Sequence, residues 1–152
     1  MPSGRGLPIG NLTSQFFANV YMNEFDQFVK HKLKAKYYVR YVDDFIILSK
    51  DMEELKQYRT EIDKFLTNKL KLTLHPKKQK IGLIQTGIDF VGYFIKPDYV
   101  LVRRRVVGEM KFRMEKLKDR PKEEQKACLD SYLAHLRWAN SFGLRQKLEQ
   151  QM

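Results

Sequence analysis

Two adjacent carboxylates stand in an unusual setting. In Tyr41-Val42-Asp43-Asp44, the acid pair follows the aromatic and β-branched run Tyr37-Tyr38-Val39-Arg40-Tyr41-Val42 and precedes Phe45-Ile46-Ile47-Leu48-Ser49. The pattern predicts two strands joined by an acidic two-residue turn. Asp-Asp is ordinary turn material by itself, since Asp tolerates turn geometry. Between strands apolar enough to be buried, however, adjacent like charges repel, and a bound cation would relieve that repulsion. Hard carboxylate oxygens suit Mg²⁺, which is usually held by one or two carboxylates together with substrate phosphates. Two such ions roughly 3.5–4 Å apart activate the attacking oxygen and stabilise the leaving one in phosphoryl transfer.

Composition agrees with a polyanionic partner. The 152 residues carry 29 Lys and Arg against 18 Asp and Glu, a formal charge of +11. Charge is densest at the end, where residues 103–152 hold 13 basic and 7 acidic side chains. Nucleic acid, an anionic membrane surface or an acidic protein could answer such a charge. At 43% hydrophobic and 12% aromatic, the chain has material for a core and is not of disordered composition. Cys128 is the single cysteine, which excludes an intramolecular disulfide framework and a cysteine-cluster zinc site. No stretch approaches the roughly 18 apolar residues of a membrane span. His31, His75 and His135 are scattered without metal-ligand spacing.

The elements that position the acid pair follow from periodicity. Residues 1–12 read as a Gly- and Pro-rich loop, with Gly4, Gly6, Pro8 and Gly10. From Thr13 to about Lys32, Phe17, Val20, Tyr21, Phe25, Phe28 and Val29 recur at three- and four-residue steps, predicting a helix capped by Asn11 or Thr13. Asp51 with Glu54 resembles a capping box opening a second helix, its inner face Leu55, Ile62, Phe65 and Leu66. Leu72-Thr73-Leu74 reads as a short strand stopped by His75-Pro76. Phe90–Ile95 and Tyr99–Val102 read as a hairpin around Lys96-Pro97-Asp98. The remainder reads as helical. Met110, Met114 and Leu117 share one face, Leu129, Leu133, Leu136, Ala139 and Leu144 another, and Pro121 separates them. The expected class is α+β, a mostly antiparallel sheet with two packing helices, followed by a helical segment.

With these residues in place, the sequence resembles the reverse transcriptases. Tyr41-Val42-Asp43-Asp44 resembles the Tyr-x-Asp-Asp box of that family. Gly6-Leu7-Pro8-Ile9-Gly10-Asn11-Leu12-Thr13-Ser14-Gln15, followed by a helix with Ala18-Asn19, resembles its upstream loop and helix. Leu74-His75-Pro76-Lys77-Lys78 looks like the motif that follows, and Phe90-Val91-Gly92-Tyr93 like the hairpin that grips the primer. The four motifs occur in the family's order over about residues 4–95. The resemblance implies a partial polymerase palm at 1–102 and a thumb-like helical segment at 103–152. It implies RNA template, DNA primer and deoxynucleoside triphosphates as partners, Mg²⁺ as cofactor, and a cytoplasmic setting in a bacterial or phage-type host, with no membrane.

It also implies roles. Asp43 would be the metal ligand of the hairpin and Asp44 its less direct neighbour. Tyr41 and Val42 would lie under the primer terminus. Pro8, Ile9, Gly10 and Gln15 would shape the nucleotide site. Lys78, with Lys77 and Lys80 as rivals, would neutralise the leaving pyrophosphate. Val91, Gly92 and Tyr93 would hold the primer, Gly92 by allowing close backbone approach. Arg103, Arg104 and Arg105 would meet backbone phosphates. Three cations at a helix start oppose its dipole, which favours an anionic partner.

Within the family, Ile9-Gly10-Asn11-Leu12-Thr13-Ser14-Gln15 is similar to the version in diversity-generating retroelements, where many bacterial members carry Gln-Gly-x-x-x-Ser-Pro. Ser131-Tyr132-Leu133-Ala134-His135-Leu136 with Ala139-Asn140-Ser141 is similar as well. Those enzymes copy a template RNA with errors at adenines, and the residue corresponding to Ile9 is linked to their low fidelity. An Ile packs where a Gln would hydrogen-bond, which weakens discrimination. The alternatives are a group II intron or retron-type reverse transcriptase, and a non-catalytic palm-like nucleic-acid-binding module. Family polymerases use a further aspartate upstream of the Gly-Pro loop. Asp26, Asp63 and Asp89 do not have its strand context, so the chain is expected to be inactive alone, to lack the fingers, and to self-associate through exposed strand edge. An accessory protein is left open.

Overall fold

The computed structural model describes residues 12–149. They fall into two compact units dividing between Ile81 and Gly82. The second unit contains both the strands of residues 88–102 and the helices that follow them.

In the first unit, helix α1 (Leu12–Gln27) continues through a π-helical turn at Phe28–Lys32. Strands β1 (Tyr37–Tyr41) and β2 (Asp44–Leu48) pair antiparallel, and helix α2 (Met52–Phe65) continues through a second π-helical turn at Leu66–Leu70. Both helices stop on a lysine with positive φ, Lys34 at 56° and Lys71 at 51°. The wide turns carry Val29, Leu33, Leu66 and Leu70 into one core with Met22, Phe25, Ala35 and Ile62. Phe25, wholly buried, meets the ring of Phe45 at 4.9 Å and of Tyr38 at 6.1 Å, while Phe28 stacks on Phe65 at 4.1 Å.

The capping of α2 differs from a simple box. Asp51 accepts from the Glu53 amide at 2.8 Å, as an N-cap should. Glu54 does not reach back to the Asp51 amide. That amide bonds Ser49 Oγ at 3.0 Å, and the Ser49 hydroxyl in turn donates to Glu54. The residues at 72–74 alternate in type but enter no ladder, so the expected strand there is absent among the described residues. Leu74 packs on the core and Leu72 stays exposed.

The second unit is a three-stranded meander with helices. Strands β3 (Ile88–Phe90), β4 (Tyr93–Ile95) and β5 (Val100–Val102) are antiparallel in that order. The run Phe90–Ile95 is not a single strand, because Val91 and Gly92 both adopt positive φ, 48° and 83°, and turn the chain. Two left-handed residues match the strand twist of a two-residue hairpin. Helices α3 (Arg104–Lys116), α4 (Lys122–Leu136) and α5 (Phe142–Glu149) enclose Met110, Leu129, Leu136 and Leu148.

Leu129 and Leu144, expected on one helical face, lie on separate helices. The break is held by polar groups. The Ser141 hydroxyl donates to the Leu136 carbonyl at 2.6 Å. Asn140 brackets Val100, its amide donating to the Val100 carbonyl at 2.7 Å and its Oδ1 accepting from the Val100 amide at 2.8 Å. These bonds tie Asn140 and Ser141 into the fold of this unit.

Gly87 is the most constrained glycine. Its φ is 91°, and an added Cβ would lie 2.2 Å from Phe94 Cζ. Gly87→Ala therefore has to displace a packed ring and adopt a left-handed backbone. A loss of about 1–3 kcal/mol is expected, read from the urea midpoint of the protein. An unchanged midpoint would show that the Phe94 ring swings away freely.

Candidate active site

The acid pair sits at the tip of the β1–β2 hairpin, one residue out of the expected register. Tyr41 pairs with Asp44, so the turn is Val42-Asp43 and Asp44 is the first residue of β2. Period-two alternation then sorts the ribbon. Tyr38, Phe45 and Ile47 face the core. Tyr37, Val39 and Tyr41 stand on the opposite face, 53%, 50% and 55% exposed, and Leu48 is exposed across from Tyr37. Asp43 and Asp44 are both exposed. The hairpin thus presents two carboxylates at the end of an open apolar strip.

Val42 carries a φ of 53°, a conformation that is an outlier for a β-branched residue. Such strain persists only where the surroundings over-determine it, and it concentrates at functional turns. The surroundings here are specific. Arg40 donates from Nη1 to the Val42 carbonyl at 2.6 Å. Its Nε and Nη2 hold the two oxygens of Asp26 on α1 at 2.8 and 2.6 Å. Tyr38 adds a hydroxyl donor to Asp26 at 2.6 Å.

The Arg40 hydrogen bond, with the Tyr38 bond and the guanidinium charge behind it, holds the Asp26 carboxyl below its usual 3.8 against the opposing effect of burial. Burial and the bond to Asp26 push the Tyr38 phenol up. A carboxylate with a depressed folded value stabilises the fold above its unfolded value and stops doing so as pH falls through the folded one. Wild type should therefore lose this stabilisation only below about pH 3.8. Asp26→Asn should be less stable at neutral pH and show a flatter acid limb. Urea midpoints from pH 2 to 6 (roughly the window of carboxylate titration) test this, and parallel curves for the two proteins would refute it.

The other expected site residues are distributed as follows. Pro8, Ile9 and Gly10 lie outside the described residues. Gln15 is exposed on the first turns of α1. Lys77, Lys78 and Lys80 are exposed on the loop after His75, where the Lys78 amide bonds the His75 carbonyl at 3.1 Å and the Lys77 amide bonds His75 Nδ1 at 3.2 Å. None of the three has a carboxylate partner among the described residues, and the loop does not single one out. Tyr41, Val42, Asp43 and Asp44 are brought together on one hairpin.

In the other unit, Val91, Gly92 and Tyr93 form the second hairpin turn. Gly92 has a conformational reason to be glycine, its positive φ, besides any close approach of a strand. Tyr93 donates to the His135 carbonyl at 2.9 Å and stacks on the His135 ring at 4.6 Å. Burial raises the Tyr93 phenol. Two of the three arginines are occupied within the chain: Arg103 pairs with Asp89, and Arg105 pairs with Glu109 at 2.8 Å. Arg104 has no ion-pair partner among the described residues. Arg40, Asp26 and Asn19 have no expected role from the sequence, where Asp26 is set aside as mid-helix and Asn19 belongs to the motif helix; their joining is a finding of the structure. The available signal was a charge at an inward-facing strand position and an acid beside Phe25 on the buried side of α1, which have to pair.

Two carboxylates fit a hard divalent cation that takes its remaining oxygens from phosphates and water. No further His, Cys, Asp or Glu joins them in a cluster among the described residues. No helix among those residues is long and apolar enough to cross a membrane. Helices and small antiparallel sheets, with an acid pair at an exposed hairpin tip, are compatible with part of a polymerase palm. The chain belongs to the reverse transcriptase family: residues 1–95 match "Reverse transcriptase (RNA-dependent DNA polymerase)". It is also 26% identical to Protein YkfC of Escherichia coli (strain K12), over 72% of this chain and 36% of that protein. The chain thus spans about a third of the length of this curated relative.

Proposed function

We propose that these residues form part of the palm and the start of the thumb of an RNA-directed DNA polymerase, which extends a DNA primer on an RNA template. The observation that carries this reading is the β1–β2 hairpin: a family Tyr-x-Asp-Asp box whose two carboxylates end an exposed strip of Tyr37, Val39 and Tyr41. Such a strip can lie under the primer terminus while the acids meet the incoming phosphates. Mg²⁺ bound there would supply charge neutralisation and activation of the attacking hydroxyl. Asp43 would hold it from the turn and Asp44 assist from the strand. Lys78, or its neighbours Lys77 and Lys80, would neutralise the departing pyrophosphate. Val91, Gly92 and Tyr93 would hold the primer, and Arg104 is the arginine best placed to meet a phosphate, since Arg103 and Arg105 have carboxylate partners.

Within that reading, Ile9 and the Ser14-Gln15 ending favour an error-prone enzyme of a diversity-generating retroelement over a group II intron or retron type. Primer extension by the purified protein, expressed at the full length of its reading frame, tests both levels. Mg²⁺-dependent synthesis on an RNA template is expected, with misincorporation concentrated opposite template adenines. Faithful copying of adenines would return the reading to the intron or retron type. Nucleic-acid binding that ignores Mg²⁺, falls steeply with salt and yields no product would identify a binding module instead.

A further inference from the structure

The hairpin reading leaves one group unexplained, the Arg40 guanidinium. Its side chain is only 9% exposed, and it makes four hydrogen bonds. Nε and Nη2 form a bidentate fork on Asp26, and Nη1 reaches both Asn19 Oδ1 at 3.1 Å and the Val42 carbonyl at 2.6 Å. Asn19 and Asp26 are seven residues apart, two turns along one stripe of α1. The guanidinium therefore lies along that stripe, held at one end by a carboxylate and at the other by an amide. Nη1 also points a donor at the turn.

A buried ion pair alone gains little over an apolar replacement, because desolvation offsets attraction. A planar fork does something an apolar side chain cannot, since it fixes the direction of its outer N–H bonds. Here that direction ends on the carbonyl of the residue with the strained φ of 53°, one peptide before Asp43. The Val42 carbonyl carbon is bonded to the Asp43 nitrogen, so holding that carbonyl orients the peptide plane that carries Asp43.

We infer that Arg40, locked to Asp26 and Asn19, is a positioning residue that fixes the Val42–Asp43 peptide and thereby aims the Asp43 carboxylate. The inference rests on the reading of Asp43 as a cation ligand. Lysine in place of Arg40 keeps the charge but sets its three N–H donors on one nitrogen without the planar fork's spacing, so it does not hold Asp26, Asn19 and the Val42 carbonyl in the same fixed geometry. Asp26→Asn removes the charge that holds the fork and should act through the same peptide.

The test uses the purified full-length protein and two readouts. The first is Tb³⁺ luminescence sensitised through tyrosine, which reports cation binding at the hairpin without turnover, Tyr41 being the nearest donor. The second is the Mg²⁺ concentration giving half-maximal primer extension. Arg40→Lys, Arg40→Gln and Asp26→Asn should each raise both midpoints about fivefold or more, with the Arg40→Gln/Asp26→Asn pair no worse than the poorer single, as expected for one coupled unit. Asn19→Ala, at an exposed position that spares the Arg40–Asp26 fork, should give a smaller shift in the same direction and covers the case in which Arg40→Gln fails to fold. Wild-type midpoints in Arg40→Lys and Asn19→Ala, whatever happens to the melting temperature, would reduce Arg40 to a stabilising residue and overturn the inference. Asp43→Asn serves as the reference. If it leaves the Tb³⁺ signal and extension intact, the hairpin reading fails. If it abolishes them while the Arg40 variants bind normally, the positioning claim alone fails.

Discussion

Asp43→Asn should abolish primer extension while leaving the fold intact. The side chain is exposed at the two-residue turn, and among the described residues it makes no hydrogen bond and no ion pair, so nothing in the core depends on it. Surface changes of this kind move stability by about 0.5 kcal/mol at most. Removing one carboxylate from an adjacent pair also lessens their mutual repulsion, so the melting temperature should hold or rise slightly. The effect on chemistry is of another order. A ligand of the cation that stabilises charge in the transition state is worth several kcal/mol, and each 1.36 kcal/mol is a factor of about ten in rate. A fall of about 10³-fold or more in single-nucleotide addition is therefore expected. Asp44→Asn should cost less, since the register sets Asp44 in the strand, opposite Tyr41, away from the turn itself. Rates within tenfold of wild type for Asp43→Asn, with an unchanged circular dichroism spectrum, would remove Asp43 from the catalytic site.

The largest effect on stability should come from Phe25→Ala. Phe25 is fully buried and central to an aromatic cluster, its ring 4.9 Å from Phe45, 6.1 Å from Tyr38 and 6.4 Å from Phe65. Truncation removes the transfer free energy of the ring and leaves a cavity that the rigid neighbours cannot fill. Losses of about 3–5 kcal/mol are typical. Against a total of about 5–15 kcal/mol for a domain, this takes a large share. The cavity would also lie against the inward face of the hairpin, through Tyr38 and Phe45. Loss of stability and a loosened acid pair should appear together, as a lowered urea midpoint and a raised Mg²⁺ requirement. A midpoint shift below about 1 kcal/mol would mean that the cluster closes around the gap. Phe25→Leu, which keeps an apolar side chain in the site, should recover most of the loss.

Some features were legible in residue types and others were not. The helix from Thr13 to about Lys32 and the helix opened by Asp51 follow from periodicity and capping, and both occur. The hairpin was legible too, but its turn was misplaced by one residue. Asp-Asp has the better turn propensity and Val42 a poor one. Propensity lost because Tyr41 pairs with Asp44 and Arg40 grips the Val42 carbonyl, contacts that depend on α1 lying behind the ribbon. The same limitation explains Leu72–Leu74, whose alternation suits a strand but which has no neighbouring strand to bond. At Val91-Gly92 the apolar run reads as one strand by periodicity, while the family resemblance likens Phe90–Tyr93 to a hairpin, and the positive φ of both residues puts a turn there.

By itself, then, the order of residues determined the family, the acid pair, the basic balance and the approximate helices, since these are local in sequence or carried by motif strings. Tertiary structure alone decided that Asp43 turns while Asp44 pairs, that Asn140 and Ser141 cap a helix and bracket a strand, and that Arg40 joins Asp26 to the Val42-Asp43 turn. Two of these contacts join groups far apart along the chain, Arg40 and Asp26 fourteen residues apart and Val100 and Asn140 forty, while Tyr41 with Asp44 and Ser141 with Leu136 are local pairs whose geometry the surrounding fold selects. The Val100–Asn140 contact lies beyond any local window, and the Arg40–Asp26 pair joins a strand to a helix, which no single-element periodicity reports. Only the burial that brings helix and ribbon together supplies the low-dielectric, geometrically fixed setting in which such partners become obligatory.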